Sequence, residues 1–506
     1  MRTTNLTLAL VAFLWLSLPL PAPAQWTNDP YNGMVSVCNA PGNQVGCIIG
    51  RLEGSGYTLV AWMDQRVTDQ PRSYYQVLDQ TGVPQLEPNG RPLIGDPYWY
   101  VGLAYLVPDG EGGLIGVFRD ARDGYKDIYG QRFDSQGTPL WGPTGLPLVE
   151  WTVAASTSLK DVAYDDNGSF FIAWGISAAS TDQYAQKFNV AGDRLWGDYG
   201  VPVSMAPGSQ VWPQIVSDTR GGALVLWEDN RAGGYTYYLY AQHLDENGIP
   251  ILTLNGIPLY SPGTSMQLSC GGLEGGEPDD QNGGVFVYTT PGASNLLRVI
   301  RVNGDGETQW VWDNGISAQH FVGDPLKNPA DGTIWIAAND NRTGGYQSYL
   351  YHLDIDGNPL FNPAGIIGGE TMAPTSDGAI AFDTYQNSLG TRIVAKRSNG
   401  AGRQIWECVV ALARLYGGGA PGLCAISSSE DGDDGAVITM LDIRLYPSEI
   451  MNIAAQRVQW NGHLGNPIAA HETILADNWN CQSCQAINCS SHFQRQARSN
   501  WSCSTC

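Results

Sequence analysis

The sequence predicts an all-β protein built as a β-propeller, with eight four-stranded blades as the preferred count. Glycine accounts for 62 of the 506 residues and proline for 30, a composition that disfavours long helices. One sequence unit also recurs about 54 residues apart, slightly more than the ~40–50 residues of common blades. Its eight copies begin at Gly56, Gly112, Gly168, Gly221, Gly283, Gly332, Gly378 and Gly435.

Each unit contains the pattern of four short strands separated by turns. In the fourth copy, residues 213–218 form the first predicted strand, and an apolar run ending at Trp227 forms the second. An Asp/Asn/Gly-rich hairpin leads to an alternating third strand, residues 238–244, and an Asp-x-x-Gly turn leads to a short fourth strand, residues 256–260. Tandem β-sandwiches would need about 100 residues per domain. No two-unit period of that kind is present, so the propeller is preferred.

The start of the chain bears on how the ring closes. Residues 32–45 match residues 199–211, which include a fourth strand, so the first strand of the chain could complete the last blade. The last unit also has its own candidate, residues 465–469. Closure by strand exchange and closure within the last unit both stay open at this point.

Residues 1–24 have the pattern of a secretory signal peptide. Arg2 precedes an apolar run over residues 6–20, and Ala22-Pro23-Ala24 provides a small-x-small cleavage pattern before Gln25. Proline interrupts the run short of the ~20 residues that a membrane span needs. We therefore expect secretion or display on the outer cell surface, with no transmembrane segment after cleavage. The predicted domains are this leader, a propeller over residues 25–475 and a Cys-rich tail over residues 476–506.

The charge balance restricts the class of partner. Lys and Arg total 27 and Asp and Glu total 49, which gives a net charge of −22. Such a surface repels phosphate backbones and anionic headgroups, so nucleic acids and membrane surfaces are disfavoured. The expected partner is a glycan or a protein at the cell surface, and the expected oligomeric state is a monomer.

The unit over residues 118–137, with its Asp-x-Arg pair and Asp-x-x-Gly turn, resembles the repeats of secreted bacterial propellers related to TolB and the PD40 motif. It is also similar to the long-bladed repeats of large surface proteins from Bacteroidota-type bacteria. The resemblance extends over residues 25–474 and implies a propeller at the cell surface, exported with a type IX sorting tail. It does not imply one activity, because propellers carry many.

An Asp-x-Arg pair follows the second predicted strand in five units and should form a ring on one face. Its arginines could bind sugar hydroxyls or carboxylates as bidentate donors. Alternatively, each pair holds a turn, and the repetition favours this second interpretation because a catalytic site occurs once per ring. We keep the pairs as candidate ligand-binding residues: Asp64 and Arg66, Asp120 and Arg122, Asp229 and Arg231, Asp340 and Arg342, and Asp442 and Arg444.

Other repeated residues favour packing roles. Tryptophans end several second strands or follow the Asp-x-x-Gly turns, where they would fill the space between twisted sheets: Trp62, Trp141, Trp174, Trp196 and Trp227. His243 and His352 occupy equivalent third-strand positions, which also indicates packing.

The segments 303–307 and 354–358 resemble fragments of calcium loops but lack the distal bidentate Glu. We interpret them as ordinary turns, although calcium stays an alternative. The sequence predicts no metal site and no cofactor.

The sequence contains no HExxH, GxSxG or phosphate-loop motif, and no catalytic residue can be nominated. We therefore expect a non-catalytic propeller that serves as a recognition or scaffold module for glycan or protein ligands. The alternative is an extracellular glycoside hydrolase or lyase, similar to a sialidase, with its site in the central funnel.

Ten cysteines in an exported chain indicate disulfides. Cys38 with Cys47 and Cys408 with Cys424 are candidate pairs by proximity, and Cys270 has no evident partner. Three interpretations of the Cys-rich tail stay open: a disulfide-rich knot, a zinc ribbon, or a type IX sorting segment translated out of frame. The tail cysteines are Cys481, Cys484, Cys489, Cys503 and Cys506.

Overall fold

A computed structural model confirms the predicted fold class. It describes residues 26–465, 493–495 and 501–503, with gaps at 32, 68–70, 96–100, 123–126, 151–155, 166–167, 178–180, 235, 262–263, 266, 269–272, 291–295, 317–319, 324, 388–389, 415–422 and 443–450. The described residues form eight four-stranded antiparallel blades arranged as a β-propeller, and none of them lies in a helix. The predicted leader, Arg444, Cys270 and most of the Cys-rich tail lie outside this part of the chain.

The blades follow one another along the chain, and within each blade the four strands follow in chain order. Blade 1 contains Gln44–Leu52, Tyr57–Asp64, Arg72–Leu78 and Arg91–Pro92. Blade 2 contains Val101–Pro108, Leu114–Asp120, Asp127–Phe133 and Leu146–Val149. Blade 3 contains Ser156–Asp165, Ser169–Ser177, Thr181–Asn189 and Val201–Ser204. Blade 4 contains Gln210–Ser217, Ala223–Asp229, Tyr237–Leu244 and Ile257–Pro258.

Blade 5 contains Leu273–Pro278, Gly284–Thr289, Leu297–Val302 and Thr308–Asp313. In blade 6 the first strand has two pieces, His320–Val322 and Leu326–Lys327, before Ile334–Asp340, Gln347–Leu353 and Ile366–Ile367. Blade 7 contains Thr371–Thr375, Gly378–Asn387, Gly390–Asn399 and Gln404–Arg414. Blade 8 contains Leu423–Glu430, Ala436–Asp442 and Asn452–Val458 from its own unit.

Five short strands lie outside this scheme. Tyr260–Ser261 pairs with Thr264–Ser265, and Gln267–Leu268 pairs with the third strand of blade 4, all within the connection from blade 4 to blade 5. In the tail, Phe493–Arg495 pairs with Trp501–Cys503.

The ring closes by strand exchange, which answers the question that the sequence left open. The strand Val35–Cys38 pairs antiparallel with Asn452–Val458 and is the fourth strand of blade 8. We call residues 26–40 the N-terminal clasp. The Gln456 side-chain amide donates to Thr27 O at 3.1 Å, across 429 positions of sequence. The first and the last strands of the ring are therefore held in one sheet.

The apolar core consists of eight clusters, and each lies between two adjacent blades. At the interface of blades 3 and 4, for example, Trp227 is fully buried against residues of blade 3. The cluster between blades 6 and 7 has the fewest buried members: Trp335, Ala337, Leu350, Ala379 and Ala381. Stability of the ring therefore depends on contacts between neighbouring blades rather than on one central core.

The propeller has two faces that the topology distinguishes. We call the side with the hairpins between second and third strands, and the connections between blades, the hairpin face. The opposite side, which we call the turn face, carries the turns between first and second and between third and fourth strands. On the turn face, a glycine with positive φ follows the third strand of every blade at the same spacing: Gly82, Gly137, Gly192, Gly248, Gly306, Gly357, Gly402 and Gly462.

Candidate functional site

The Asp-x-Arg pair of blade 4 forms a compact staple on the hairpin face. Asp229 is fully buried and accepts hydrogen bonds from Arg231 Nε at 2.9 Å, Arg231 Nη2 at 2.7 Å and Trp227 Nε1 at 2.9 Å. The same guanidinium donates to Asn255 O at 2.7 Å and lies 4.0 Å above the Tyr240 ring. The pair thus fastens the 2–3 hairpin to the connection that precedes the fourth strand of its own blade.

The other described pairs repeat this arrangement. Arg66 donates to Asn89 O, Arg122 to Thr144 O and Arg342 to Ala364 O, each while paired with its own aspartate. Burial alone would raise the pKa of Asp64, but hydrogen bonds from Arg66 and Trp62 hold it below its usual value. The structure therefore places these residues in turns on one face. Asp442 ends a second strand in the same way, and ligand binding by any of the pairs stays a prediction.

The structure shows a second repeated position that the sequence analysis did not identify. One residue in the third strand is basic in seven of eight blades and connects its own blade to the next: Arg132, Lys187, His243, Arg301, His352, Arg397 and Arg457. In blade 4, His243 Nε2 lies 2.9 Å from Asp218 Oδ2 and Nδ1 lies 2.7 Å from Gly304 O of blade 5. The expectation that His243 and His352 pack is thereby made more specific, since both also bridge blades. Alignment of the eight units at the third strand would have revealed the position.

The residue before that position is glutamine in five blades. In blade 4, Gln242 Nε2 donates to Thr253 O at 2.9 Å, and its Oε1 accepts from the backbone N–H groups of His243 and Leu252. Gln76, Gln131, Gln186 and Gln456 do the same kind of tethering in their blades. This glutamine is a structural element of the repeat.

Blade 7 keeps the basic residue, Arg397, but departs from the repeat at the staple and at the glutamine. The strand registers align Asp383 with Trp227, Tyr385 with Asp229 and Lys396 with Gln242. Asp383 Oδ1 accepts from Ser348 of blade 6 at 3.2 Å, and Lys396 Nζ donates to Tyr385 Oη at 2.5 Å. A buried polar network therefore replaces the staple and part of the apolar core at this interface.

Burial dominates the electrostatics of this network. It raises the pKa of Asp383 and of Tyr385, and it lowers the pKa of Lys396. Each shift favours the neutral form of the group, as expected where desolvation outweighs the attraction between opposite charges. The network is a single-copy feature in a repeated fold, but its side chains satisfy one another.

The channel wall of blades 2–4 carries the other single-copy constellation. First strands of neighbouring blades contact one another around the centre. Their bulges lie near the hairpin face and contain extra residues outside the regular pairing: Lys160 in blade 3, and Trp212 with Pro213 in blade 4. Tyr105 Oη donates to Lys160 O, and Lys160 Nζ lies 4.0 Å over the Trp212 ring. We call Tyr105, Lys160 and Trp212 the channel-wall site.

The cysteine prediction needs a correction at one pair. Cys38 and Cys47 are free thiols in the structure, not the predicted disulfide. Cys38 Sγ lies 3.7 Å from Asp64 Oδ2, whereas Cys47 Sγ lies 3.9 Å from Ile48 O. Burial raises the pKa of Cys38 to about 11 and that of Cys47 to about 12, which keeps both thiols protonated. Cys408 lies half-buried in the fourth strand of blade 7, and its pairing with Cys424 stays a prediction.

The described residues contain no group of three or more metal-binding side chains. Within the same part of the chain, no helix is long and apolar enough to cross a membrane.

The segment 354–358, which resembles a fragment of a calcium loop, has the hydrogen bonding of a turn. Asp354 Oδ1 accepts from the backbone N–H groups of Asp356 and Asn358.

Comparison with known proteins gives structural likeness only. No protein-family model and no curated protein matches the chain. Solved structures similar to it include a protein of unknown function from Dyadobacter fermentans, with 10% identity, a TM-score of 0.36, and 72% of this chain and 96% of that chain covered. A eukaryotic initiation factor matches with 10% identity, a TM-score of 0.42, and 85% and 89% coverage. An α-L-arabinanase from Penicillium chrysogenum, complexed with arabinobiose, matches with 14% identity, a TM-score of 0.37, and 64% and 98% coverage.

Proposed function

We propose that this chain is a non-catalytic recognition module that binds a glycan or protein ligand on its hairpin face. One observation carries the proposal: the turn face keeps one glycine turn in every blade, whereas the 2–3 connections on the hairpin face differ in length. All eight blades have the same glycine turn after the third strand. By contrast, the 2–3 connection ranges from residues 388–389 in blade 7 to residues 443–451 in blade 8. A rigid scaffold that varies its loops at one end is suited to specific binding.

The leader pattern and the charge support a location outside the cell. Residues 1–24 would direct export, and the net charge of −22 keeps an exposed propeller soluble. As in the TolB/PD40-like surface repeats that the sequence resembles, we propose that the protein acts at the outer cell surface as a monomer. Neither a cofactor nor calcium takes part in this proposal.

The test combines binding and turnover on the chain that begins at Gln25. A glycan array and a pull-down from extracellular extract identify ligands, and the same ligands are then assayed for hydrolysis and lyase products. We expect saturable binding without turnover. Turnover of a glycoside would overturn the non-catalytic proposal in favour of a hydrolase or lyase that works in the channel.

Footprinting of the bound complex then tests which face is used. Tyr346 and Val67 are exposed in the 2–3 hairpins of blades 6 and 1, and Leu140 and Ile249 are exposed at turns of the other face. A ligand on the hairpin face should lower hydroxyl-radical labelling of the first pair and leave the second pair unchanged. Protection confined to Leu140 and Ile249 would contradict the proposal.

A further inference from the structure

We infer that the channel-wall site is a carbohydrate subsite in which the Trp212 indole stacks on a pyranose ring. The inference rests on the proposed recognition function and names its ligand class and its central contact.

The backbone at Trp212 is the first argument. Trp212 has a φ of 53°, and the other six non-glycine residues with positive φ in the described chain are Asn, Asp or Thr. A bulky side chain in this region costs about 1–3 kcal/mol, so such strain is kept where the surrounding structure imposes it and is often found at functional sites. In blade 4 Trp212 lies in a bulge of the first strand, which contacts the first strands of both neighbouring blades around the centre of the ring.

The exposure of the ring is the second argument. Trp62, Trp174, Trp227 and Trp335 are fully buried, whereas Trp212 is 42% exposed even though Lys160 lies 4.0 Å over its ring. Lys160 lies over one face of the indole, so a pyranose would stack on the opposite face. The cation–π contact fixes the ring plane before a ligand arrives, which lowers the entropy lost on binding.

Single occurrence in the ring is the third argument. Bulges at the equivalent place in the first strands of other blades contain Gly46 and Cys47, Ala104, Lys160, Glu274 and Ile426. None of these is aromatic. A residue needed to shape the bulge would recur with it, whereas a tryptophan occurs in one of the six first-strand bulges of the described chain.

A buried glutamine of blade 3 is hydrogen-bonded to the backbone of the strand that carries Trp212. Gln183 is fully buried and donates through Nε2 to the backbone oxygen of Gln210, two residues before Trp212. Its Oε1 is buried without a hydrogen-bond partner in the described chain. An unpaired buried acceptor costs about 1–3 kcal/mol, and an ordered water that also contacts the bound sugar would supply the missing donor.

Carbohydrate fits these features better than a peptide. The apolar C–H face of a pyranose can lie flat on an open indole while its hydroxyls donate to acceptors at the edge. Peptide anchors instead fill enclosed pockets, whereas Trp212 is 42% exposed. A neutral sugar also meets no repulsion from a chain of net charge −22.

The experiment titrates the leader-free chain with cellohexaose, mannohexaose and xylohexaose by calorimetry and by tryptophan fluorescence. We expect one of the three to bind, and Trp212→Ala to weaken it about tenfold or more. Trp212→Phe should keep part of the affinity and lose the fluorescence change. Trp460→Ala is the matched control, because Trp460 is 53% exposed on the turn face. Thermal unfolding checks that each variant is folded.

The outcomes separate this inference from the function on which it rests. Equal weakening by Trp212→Ala and Trp460→Ala, or none by either, would overturn the subsite. Binding of a protein ligand with no affinity for any of the three sugars would overturn the subsite and leave the recognition function standing. Absence of any ligand on the array and in the pull-down would overturn both.

Discussion

The interface between blades 3 and 4 and the interface between blades 6 and 7 use the same positions for different chemistry. In the first, Trp227 and the Asp229–Arg231 staple hold the connection to a fourth strand that has only Ile257–Pro258. In the second, Asp383 and Tyr385 occupy those positions, and the fourth strand runs over Gln404–Arg414. A blade therefore fastens its outer edge either by side-chain staples or by a long backbone ladder.

The largest expected effect is loss of the staple. Asp229→Ala removes a buried carboxylate and leaves the Arg231 guanidinium and the Trp227 indole N–H without their acceptor, at a cost of about 3–5 kcal/mol in the free energy of unfolding. Asp383→Ala should cost less, because burial already raises the pKa of Asp383 and its hydrogen bond to Ser348 is made without a guanidinium partner. Urea unfolding measures both variants. Equal losses would show that the two interfaces do not differ as described.

The next largest loss of stability is expected at the glycine turn of blade 4, which packs against Trp196 of blade 3. A Cβ on Gly248 would lie 2.7 Å from the Trp196 ring, whereas a Cβ on Gly233 would meet nothing within 4 Å. Both residues have positive φ, 77° and 83°, so Ala is strained at both. Gly248→Ala should therefore cost about 1–3 kcal/mol more than Gly233→Ala, which serves as its control. Equal melting temperatures would mean that Trp196 moves aside without loss.

A smaller effect is expected from restoring the repeat residue in blade 7. Burial lowers the pKa of Lys396 below its ordinary value of 10.5, so between the two values the unfolded chain binds more protons. The wild type should therefore gain stability as the pH rises through this window, and Lys396→Gln should abolish the gain. Denaturant midpoints at pH 7 to 10 provide the measurement. An unchanged pH slope in the variant would exclude Lys396 as its source.

The smallest effect is an acid sensitivity of the interface between blades 6 and 7. His352 Nε2 lies 2.6 Å from the Thr333 hydroxyl, and burial lowers the histidine pKa below 6.5. Below pH 6.5 the unfolded chain binds this proton more readily than the folded chain does. The free energy of unfolding therefore falls as the pH drops.

His352→Gln should flatten this fall, and the part due to His463, whose pKa burial also lowers, should remain. The blade 4 counterpart differs because His243 pairs with Asp218. Burial would raise the pKa of Asp218, but hydrogen bonds from His243 and two backbone N–H groups lower it below 3.8. The stability that the ionised Asp218 contributes is therefore lost only as the pH falls below 3.8. An unaltered acid profile in His352→Gln would contradict the assignment.

The sequence predicts the repeated features because each is written several times. The eight glycine turns, the strand order and the Asp-x-Arg positions all follow from repetition, and the tryptophans such as Trp227 pack between blades as expected. The sequence predicts a packing role for His243 but not its contact with the next blade. Histidine, lysine and arginine alternate at this position, and their shared role is seen only in the structure.

Single-copy features were missed for a different physical reason. Nothing in the sequence indicates that Asp383, Tyr385 and Lys396 interact. The register of two neighbouring strands brings their side chains together. The strain at Trp212 depends on a bulge, and nothing in the string Val-Trp-Pro specifies a φ of 53°. Repetition predicts the architecture and the Asp-x-Arg pairs, whereas the channel-wall site is a departure from the repeat.

The N-terminal clasp also determines what the order of the chain means. Thr27 and Gly465 lie in contact, since a Cβ on Gly465 would be 2.8 Å from the carbonyl carbon of Thr27. The two ends of the ring are therefore neighbours in space, and the cut between them falls inside one sheet. A short peptide could join them, and the chain could be opened at another hairpin without changing any interface between blades. The order of the blades along the chain therefore does not determine the ring, and circularly permuted chains should form the same propeller.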